Sequence, residues 1–174
     1  MPSKSKVYFF FETTGFSLTK RNDLKKFIEK LFVLEKTGLD NLNYIFCSDK
    51  RLLQINKEYL NHDYYTDIIT FDLSDRFTGN IGKETAAGAK SNTRASKKIK
   101  GGLVQSAVKT SGEIYISIDR VRDNAKVNGV SFKEELHRVI FHGALHLCGY
   151  KDKKPADKKL MTQKENQYLA KYGL

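Results

Sequence analysis

The chain has 174 residues, of which 40% are hydrophobic and 29% charged, and a formal net charge of +11 at pH 7. This length and hydrophobic share fit one folded domain over residues 1–174 and exclude a wholly disordered chain. The absence of any apolar run of about 18 residues and of a cleavable leader predicts a cytoplasmic protein without a membrane span. Cys47 and Cys148 match no disulfide framework, so we expect two free thiols without disulfide partners in a reducing compartment.

Strand and helix patterns alternate through the first half of the chain. Short runs rich in β-branched and aromatic residues predict three strands, at residues 7–13, 43–47 and 66–73. After the first strand, apolar residues at helical spacing predict a helix that begins at Asn22 or Asp23 and ends near Gly38. After the second strand, Ser48 is expected to cap another helix.

Basic residues are concentrated after the third predicted strand. Residues 76–110 contain eight basic residues and one acidic residue, a net charge of +7, and the rest of the chain carries +4. This segment is rich in Gly, Ala, Ser, Lys and Thr and lacks both helical and strand periodicity, so it is predicted to be a mobile insertion within the domain. It is either an electrostatic arm for a nucleic-acid backbone or a solvated surface loop.

The second half of the chain predicts one more strand and three helices. Residues 112–118 alternate between polar and apolar side chains, as in a strand, and residues 119–127 predict a short helix. Ser131 caps a longer helix that runs to Cys148, and Pro155 suits the first turn of the last helix. The order βαβαββααα predicts an α/β (α+β) fold with a mixed four-stranded sheet packed with about five helices.

The most informative pattern for chemistry is HGALH, in which His142 and His146 lie four residues apart on a predicted helix. Side chains at this spacing share one helix face, so the two imidazoles can bind one metal ion. The helix is expected to end at Gly149, and Asp152 can then supply a third ligand from the following turn. The pattern predicts an open metal site on this helix. The alternative is a pair of histidines that only pack or face solvent, beside a loop carboxylate.

Gly143 argues against one class of metal-dependent enzyme. Metalloproteases with the HExxH motif carry a glutamate beside the first histidine as general base. Here Gly143 occupies that position, so a peptidase of this type would lack its base.

The sequence around these histidines resembles the YbeY family of bacterial metal-dependent endoribonucleases, also called rRNA maturation factors. The resemblance rests on His142-Gly-x-Leu-His146-Leu-x-Gly-Tyr150. Further segments that agree with the family lie at residues 56–59, 63–71, 112–116, 135–138 and 161–165.

The resemblance implies an endoribonuclease that prefers single-stranded RNA and acts in maturation of the small-subunit rRNA 3′ end and in ribosome quality control. Its expected partners are ribosomal RNA and the ribosome or its small subunit. We expect one metal ion, zinc or another divalent transition metal, bound by His142, His146 and Asp152. Asp63 and Asp67 are the candidate catalytic carboxylates. The alternatives are a non-catalytic ribosome-assembly factor with a structural metal, and a metal-dependent hydrolase of another substrate.

Three positions depart from the family pattern. The family's third histidine is Asp152 here, and a carboxylate still binds zinc but shifts preference towards harder ions. The arginine that the family carries after Tyr59 is Leu60, and the basic segment at 76–110 is an insertion whose function is not inherited. Five basic residues are alternatives for the role of that arginine: Arg51, Lys57, Arg120, Arg122 and Arg138.

Overall fold

A computed structural model of the protein describes residues 5–74 and 109–174. The basic segment predicted at 76–110 therefore lies outside the described residues, except for its last two positions. Of these, Lys109 is exposed and Thr110 already belongs to a strand.

Four strands form a single mixed sheet, which confirms the predicted fold class. They are β1 (Val7–Phe11), β2 (Leu39–Cys47), β3 (Ile68–Asp72) and β4 (Thr110–Ser117). The order across the sheet is β1-β2-β4-β3. The first three strands in this order are mutually parallel, whereas β3 runs antiparallel to β4, with Thr70 opposite Ile114.

Five helices accompany the sheet, in the predicted element order. They are α1 (Arg21–Leu34), α2 (Asp49–Leu60), α3 (Ile118–Asn128), α4 (Phe132–Leu147) and α5 (Pro155–Tyr172). The Ser48 and Ser131 side chains accept hydrogen bonds from backbone N–H groups in the first turns of α2 and α4, which are the caps that the sequence predicted. Ser117 caps α3 in the same way.

Two predicted boundaries differ from the structure near residue 40. Helix α1 ends at Leu34 rather than near Gly38, and β2 begins at Leu39 rather than at residue 43. The left-handed backbone of Lys36, with φ 55°, breaks the helix early. Polar Asp40 and Asn41 interrupt the apolar run of β2, yet this part of the strand still pairs with β4.

Helix α4 lies unusually close to the sheet, and this contact positions the candidate site. A Cβ atom added to Gly143 would lie 2.9 Å from the Cδ1 atoms of both Ile68 and Ile114. The glycine thus lets the α4 backbone approach β3 and β4 more closely than any other residue would allow. The buried Tyr44 hydroxyl also donates a hydrogen bond to the Ile140 carbonyl at 3.0 Å, which ties α4 to β2.

The opposite face of the sheet carries a smaller core under α2, formed by Cys47, Leu52, Ile55 and Ile69. Both cysteines are free, as expected, and burial raises the pKa of each thiol to about 12. They are therefore protonated side chains at neutral pH. In the part of the chain that the structure describes, no helix has the length and apolar character needed to cross a bilayer.

Candidate metal centre

The structure brings the three predicted metal ligands together at the end of α4. One ligand atom each from His142, His146 and Asp152 lies within 4.8 Å of the others. The Nε2 atoms of the two histidines are 2.9 Å apart. The Asp152 Oδ2 atom lies 3.7 Å from the first of them and 3.6 Å from the second.

The turn after α4 explains how Asp152 reaches the histidines. Gly149 has φ 98°, and its N–H donates to the His146 carbonyl while the Tyr150 N–H donates to the Leu145 carbonyl. This pair of hydrogen bonds is a Schellman motif, which reverses the chain at a helix C-terminus. The chain then passes back over the end of α4 before α5 begins.

The Tyr150 side chain fixes this turn to α1. Its hydroxyl donates to Glu35 Oε2 at 2.7 Å, and Lys164 and Tyr168 from α5 donate to the other carboxylate oxygen of Glu35. Burial of Glu35 acts to raise its pKa, but the hydrogen bonds from Lys164, Tyr168 and Tyr150 outweigh burial and lower it. Glu35 is therefore an ionised carboxylate that joins α1, α5 and the turn.

Hydrogen bonds orient both imidazole rings. The Nδ1 atom of His142 lies 2.7 Å from Glu165 Oε1, and Nδ1 of His146 lies 2.9 Å from the Tyr150 carbonyl oxygen. Both partners are acceptors, so they assign the proton of each neutral ring to Nδ1 and leave the Nε2 lone pair as a ligand. A carboxylate or carbonyl behind the ring is the usual support of a metal-binding histidine.

This arrangement fits a divalent transition-metal ion. With both rings protonated on Nδ1, two Nε2 lone pairs and one carboxylate face the same point, and they repel unless a cation lies between them. Two imidazoles and one carboxylate are a common three-ligand set for catalytic zinc, with a further position open to water or substrate. Cys148, another donor nearby in sequence, is not part of this converging group.

The surroundings shift the pKa values of the two histidines in opposite net directions. Burial acts to lower the pKa of His142, but the hydrogen bond and charge of Glu165, together with the charges of Asp152 and Asp67, raise it overall. Burial and the neighbouring charge of His142 lower the pKa of His146. The pKa of His142 therefore lies above, and that of His146 below, the ordinary value for histidine.

Glu165 is a site residue to which the sequence assigned no role. It lies on the buried face of α5, is 8% exposed, and its second oxygen is 3.5 Å from Arg138 Nη1. Its position in the sequence could have indicated this role. Glu165 lies at helical spacing from Met161 and Tyr168, which are both buried, so it shares their face of α5. An acidic residue in an apolar helix stripe needs a partner, and His142 together with Arg138 supplies it.

The three candidate ligands line a cavity of about 580 Å³. Besides the three ligands, its wall includes Leu60, His62, Tyr64, Asp67 and Lys153. The cavity lies between the end of α4, strand β3 and the loop that joins α2 to β3. Both polar and apolar side chains line it, as expected for a site that holds a substrate in a defined orientation.

The structure separates the two candidate catalytic carboxylates. Asp67 lines the cavity, and its Oδ2 atom accepts a hydrogen bond from Asn124 at 3.1 Å. Asp63 is exposed, pairs with Lys57 at 2.7 Å, and is not among the described residues of the cavity wall. Only Asp67 is therefore brought to the candidate metal centre.

The structure also places Leu60, which stands where the resemblance implied an arginine. Leu60 lies at the wall and supplies no charge. The five basic residues suggested for this role all form ion pairs: Arg51 with Glu12, Lys57 with Asp63, Arg120 with Asp49, Arg122 with Asp119, and Arg138 with Glu134. None of the five is among the described residues of the cavity wall, whereas Lys153, which the sequence did not single out, is.

Fold and site together define an α/β protein with a candidate open metal site at the end of a core helix, an arrangement suited to hydrolysis. The family model described as "Endoribonuclease YbeY" matches residues 11–173, and the chain belongs to this family.

Relatives of known name support this assignment. An "Endoribonuclease YbeY" from Cytophaga hutchinsonii is 42% identical over 164 residues, which cover 94% of each chain. Another with this name, from Flavobacterium johnsoniae, is 40% identical over 91% of this chain and 92% of its own. A solution structure of a Thermotoga maritima protein shares the fold with a TM-score of 0.57 and 24% identity, and the match covers 95% of this chain and 88% of that one.

Proposed function

We propose that the protein is a metal-dependent endoribonuclease that cleaves single-stranded segments of ribosomal RNA during rRNA maturation and ribosome quality control. The observation that carries this proposal is the convergence of three ligand atoms within 4.8 Å, at a cavity of a chain from the endoribonuclease YbeY family. RNA is the proposed substrate because relatives that match more than 90% of this chain are named as endoribonucleases. The small ribosomal subunit and its RNA are the proposed partners.

His142, His146 and Asp152 are the residues that would hold the metal. A divalent ion bound there supplies Lewis acidity towards a phosphate oxygen and favours deprotonation of water near neutral pH. Zinc fits two imidazoles and one carboxylate, and the carboxylate also admits harder ions such as manganese.

The chain's own groups would orient the ligands and move a proton. Glu165 keeps the proton of His142 on Nδ1, which leaves Nε2 free as a ligand. Of the two candidate carboxylates, we assign proton acceptance to Asp67 because it lines the cavity, whereas Asp63 lies outside it. Asn124 donates to Asp67 Oδ2 at 3.1 Å and the Thr66 hydroxyl donates to Oδ1 at 3.5 Å, so both contacts would hold the carboxylate in place as it accepts the proton.

Two groups of basic residues would neutralise the RNA backbone. Lys153 at the cavity wall is suited to contact the phosphate next to the cleaved bond, in place of the arginine that Leu60 replaces. The segment at 76–110, with a net charge of +7, would hold phosphates further along the strand without reading bases. Lys153 and the basic segment would thus contact different phosphates of the same strand.

Metal analysis combined with RNA cleavage tests the proposed function. Protein purified without added metal is expected to contain one divalent ion per chain and to cleave single-stranded RNA until the ion is chelated. His142→Ala and His146→Ala are expected to lose both the ion and the cleavage, because each removes an imidazole ligand.

Asp152→Ala is expected to weaken metal binding, with Asp123→Ala as its matched control on the exposed surface of α3. Cleavage at the wild-type rate by a metal-free His142→Ala/His146→Ala double variant would refute a metal-dependent nuclease. Full metal binding without any RNA cleavage would favour a non-catalytic assembly factor instead.

A further inference from the structure

Two aromatic side chains at the cavity wall have no role in the proposed metal chemistry. The rings of His62 and Tyr64 stack, with centroids 5.1 Å apart and an angle of 24° between their planes. The Tyr64 hydroxyl lies 3.1 Å from His62 Nδ1, which joins the two rings into one unit. We call this pair the His62–Tyr64 platform.

The platform is open to solvent. Tyr64 is 57% exposed and His62 is also exposed, although both line the same cavity as His142 and His146. A large planar apolar surface left open beside a polar site is a surface on which another planar ring can stack.

A buried amide holds the platform in place. Asn56 is 2% exposed, and its side-chain Nδ2 donates to the Tyr64 carbonyl at 2.8 Å, while its backbone carbonyl accepts from the His62 N–H at 3.2 Å. Asn61, with φ 55°, ends α2 in a left-handed conformation directly before His62. The loop backbone is therefore fixed before any ligand binds, so little ordering entropy is lost on binding.

We propose that the His62–Tyr64 platform binds one unpaired nucleobase, next to the phosphate at the metal centre. This inference rests on the proposed function and adds the subsite that distinguishes unpaired from paired RNA. A base inside a duplex has both faces covered by its neighbours, whereas an unpaired base can turn out and stack on a protein ring. Because every base has such a face, the platform selects strandedness rather than sequence.

Two other exposed tyrosines provide controls. Tyr59 is 54% and Tyr65 51% exposed, but neither is among the described residues of the cavity wall. Tyr59 packs edge-on against Phe71, and Tyr65 lies under the Arg120 guanidinium. If exposed aromatic surface in general bound RNA, their removal would matter as much as removal of Tyr64.

The test combines a protein variant with the removal of one base. Metal-loaded protein is titrated by fluorescence anisotropy with a single-stranded RNA of about 12 nucleotides. Phosphorothioate linkages make this RNA resistant to cleavage, and one abasic position is moved along the strand. For the wild type, one abasic position next to the cleavage point is expected to weaken binding by about 5-fold to 150-fold, the loss of one base stack. Tyr64→Ala is expected to weaken binding of the intact RNA equally and to be insensitive to the abasic position.

Three variants sharpen the interpretation. Tyr64→Phe keeps the ring but loses its hydroxyl, and is expected to bind like the wild type. Tyr65→Ala and Tyr59→Ala are expected to keep the wild-type abasic profile, and all four variants should keep their full metal content.

Three results are decisive against the inference. An abasic profile in Tyr64→Ala that matches the wild type overturns the platform alone and leaves the proposed function standing. A wild-type protein that binds no single-stranded RNA overturns the proposed function, and the platform with it. A Tyr64→Phe variant that binds as weakly as Tyr64→Ala would also overturn stacking on the ring, because binding would then depend on the hydroxyl.

Discussion

Removing the charge of Glu165 should weaken metal binding without removing any ligand. In Glu165→Gln the side chain keeps its shape, but the contact to His142 Nδ1, 2.7 Å long, loses its negative charge. A hydrogen bond to a charged group contributes about 1.5–3 kcal/mol, so we expect a loss of about 10-fold to 150-fold in metal affinity. The losses of about 10-fold to 100-fold that are typical of such supporting residues agree with this range. Arg138 keeps its partners Glu134 and Asn166, so the fold should persist.

The assay is competition between the protein and a chromophoric chelator for zinc. Glu134→Gln is the matched control, since Glu134 also contacts Arg138 but neither candidate histidine ligand. Thermal unfolding of the metal-free proteins reports any loss of fold in either variant. Equal zinc affinity of Glu165→Gln and the wild type would refute the assignment of Glu165 as the group that orients His142, as would an equal loss in both variants.

Three further predictions address stability and charge. Glu35→Gln should lower the free energy of unfolding by about 1–3 kcal/mol at pH 7. Because the pKa of Glu35 is lowered in the folded protein, the stability difference between the wild type and the variant should shrink as the pH falls below about 4.5. Urea denaturation at several pH values would measure this difference. A difference that grows in acid would contradict the prediction. Gly143→Ala should destabilise the protein despite a gain of about 1 kcal/mol in helix propensity, because overpacking against Ile68 and Ile114 costs about 1–3 kcal/mol; greater stability in the same assay would argue against the close contact of α4 with the sheet. Deletion of residues 82–108, which contain six basic residues, should weaken RNA binding and flatten its dependence on salt; an unchanged slope would mean that this segment does not contact phosphates.

Local sequence patterns predicted which helices and strands form, but they predicted less well where each one ends and how the strands are arranged in the sheet. Each helix and strand among the described residues leaves a local signal, such as an apolar run, a periodic pattern or a capping residue, so these nine elements were found in the correct order. The start of β2 was missed because Asp40 and Asn41 interrupt its apolar run, although pairing with β4 extends the strand through them. The order β1-β2-β4-β3 depends on pairing between distant segments, for which the sequence contains no local signal.

The candidate site likewise has a part that local sequence patterns predict and a part that depends on packing between distant segments. His142, His146 and Asp152 lie within one short stretch, so their spacing on a helix and the following turn was enough to propose them together. Glu165 and the His62–Tyr64 platform reach the same cavity from α5 and from the loop after α2, and only packing brings them there. Asp63 and Asp67 were equivalent in the sequence, and the turn that follows α2 directs only the second towards the cavity.

All three candidate ligands fall between residues 142 and 152, so a short peptide would contain the whole ligand set. Such a peptide would lack Glu35, which anchors the turn through Tyr150, and Glu165, which holds the tautomer of His142. Its flexible donors would accept several ions in several geometries, at the entropic cost of ordering them each time. At the proposed metal centre, the affinity and the choice of metal would therefore depend on the end of α1 and on α5, which supply no ligand, so substitutions far from the ligands would change which ion is bound.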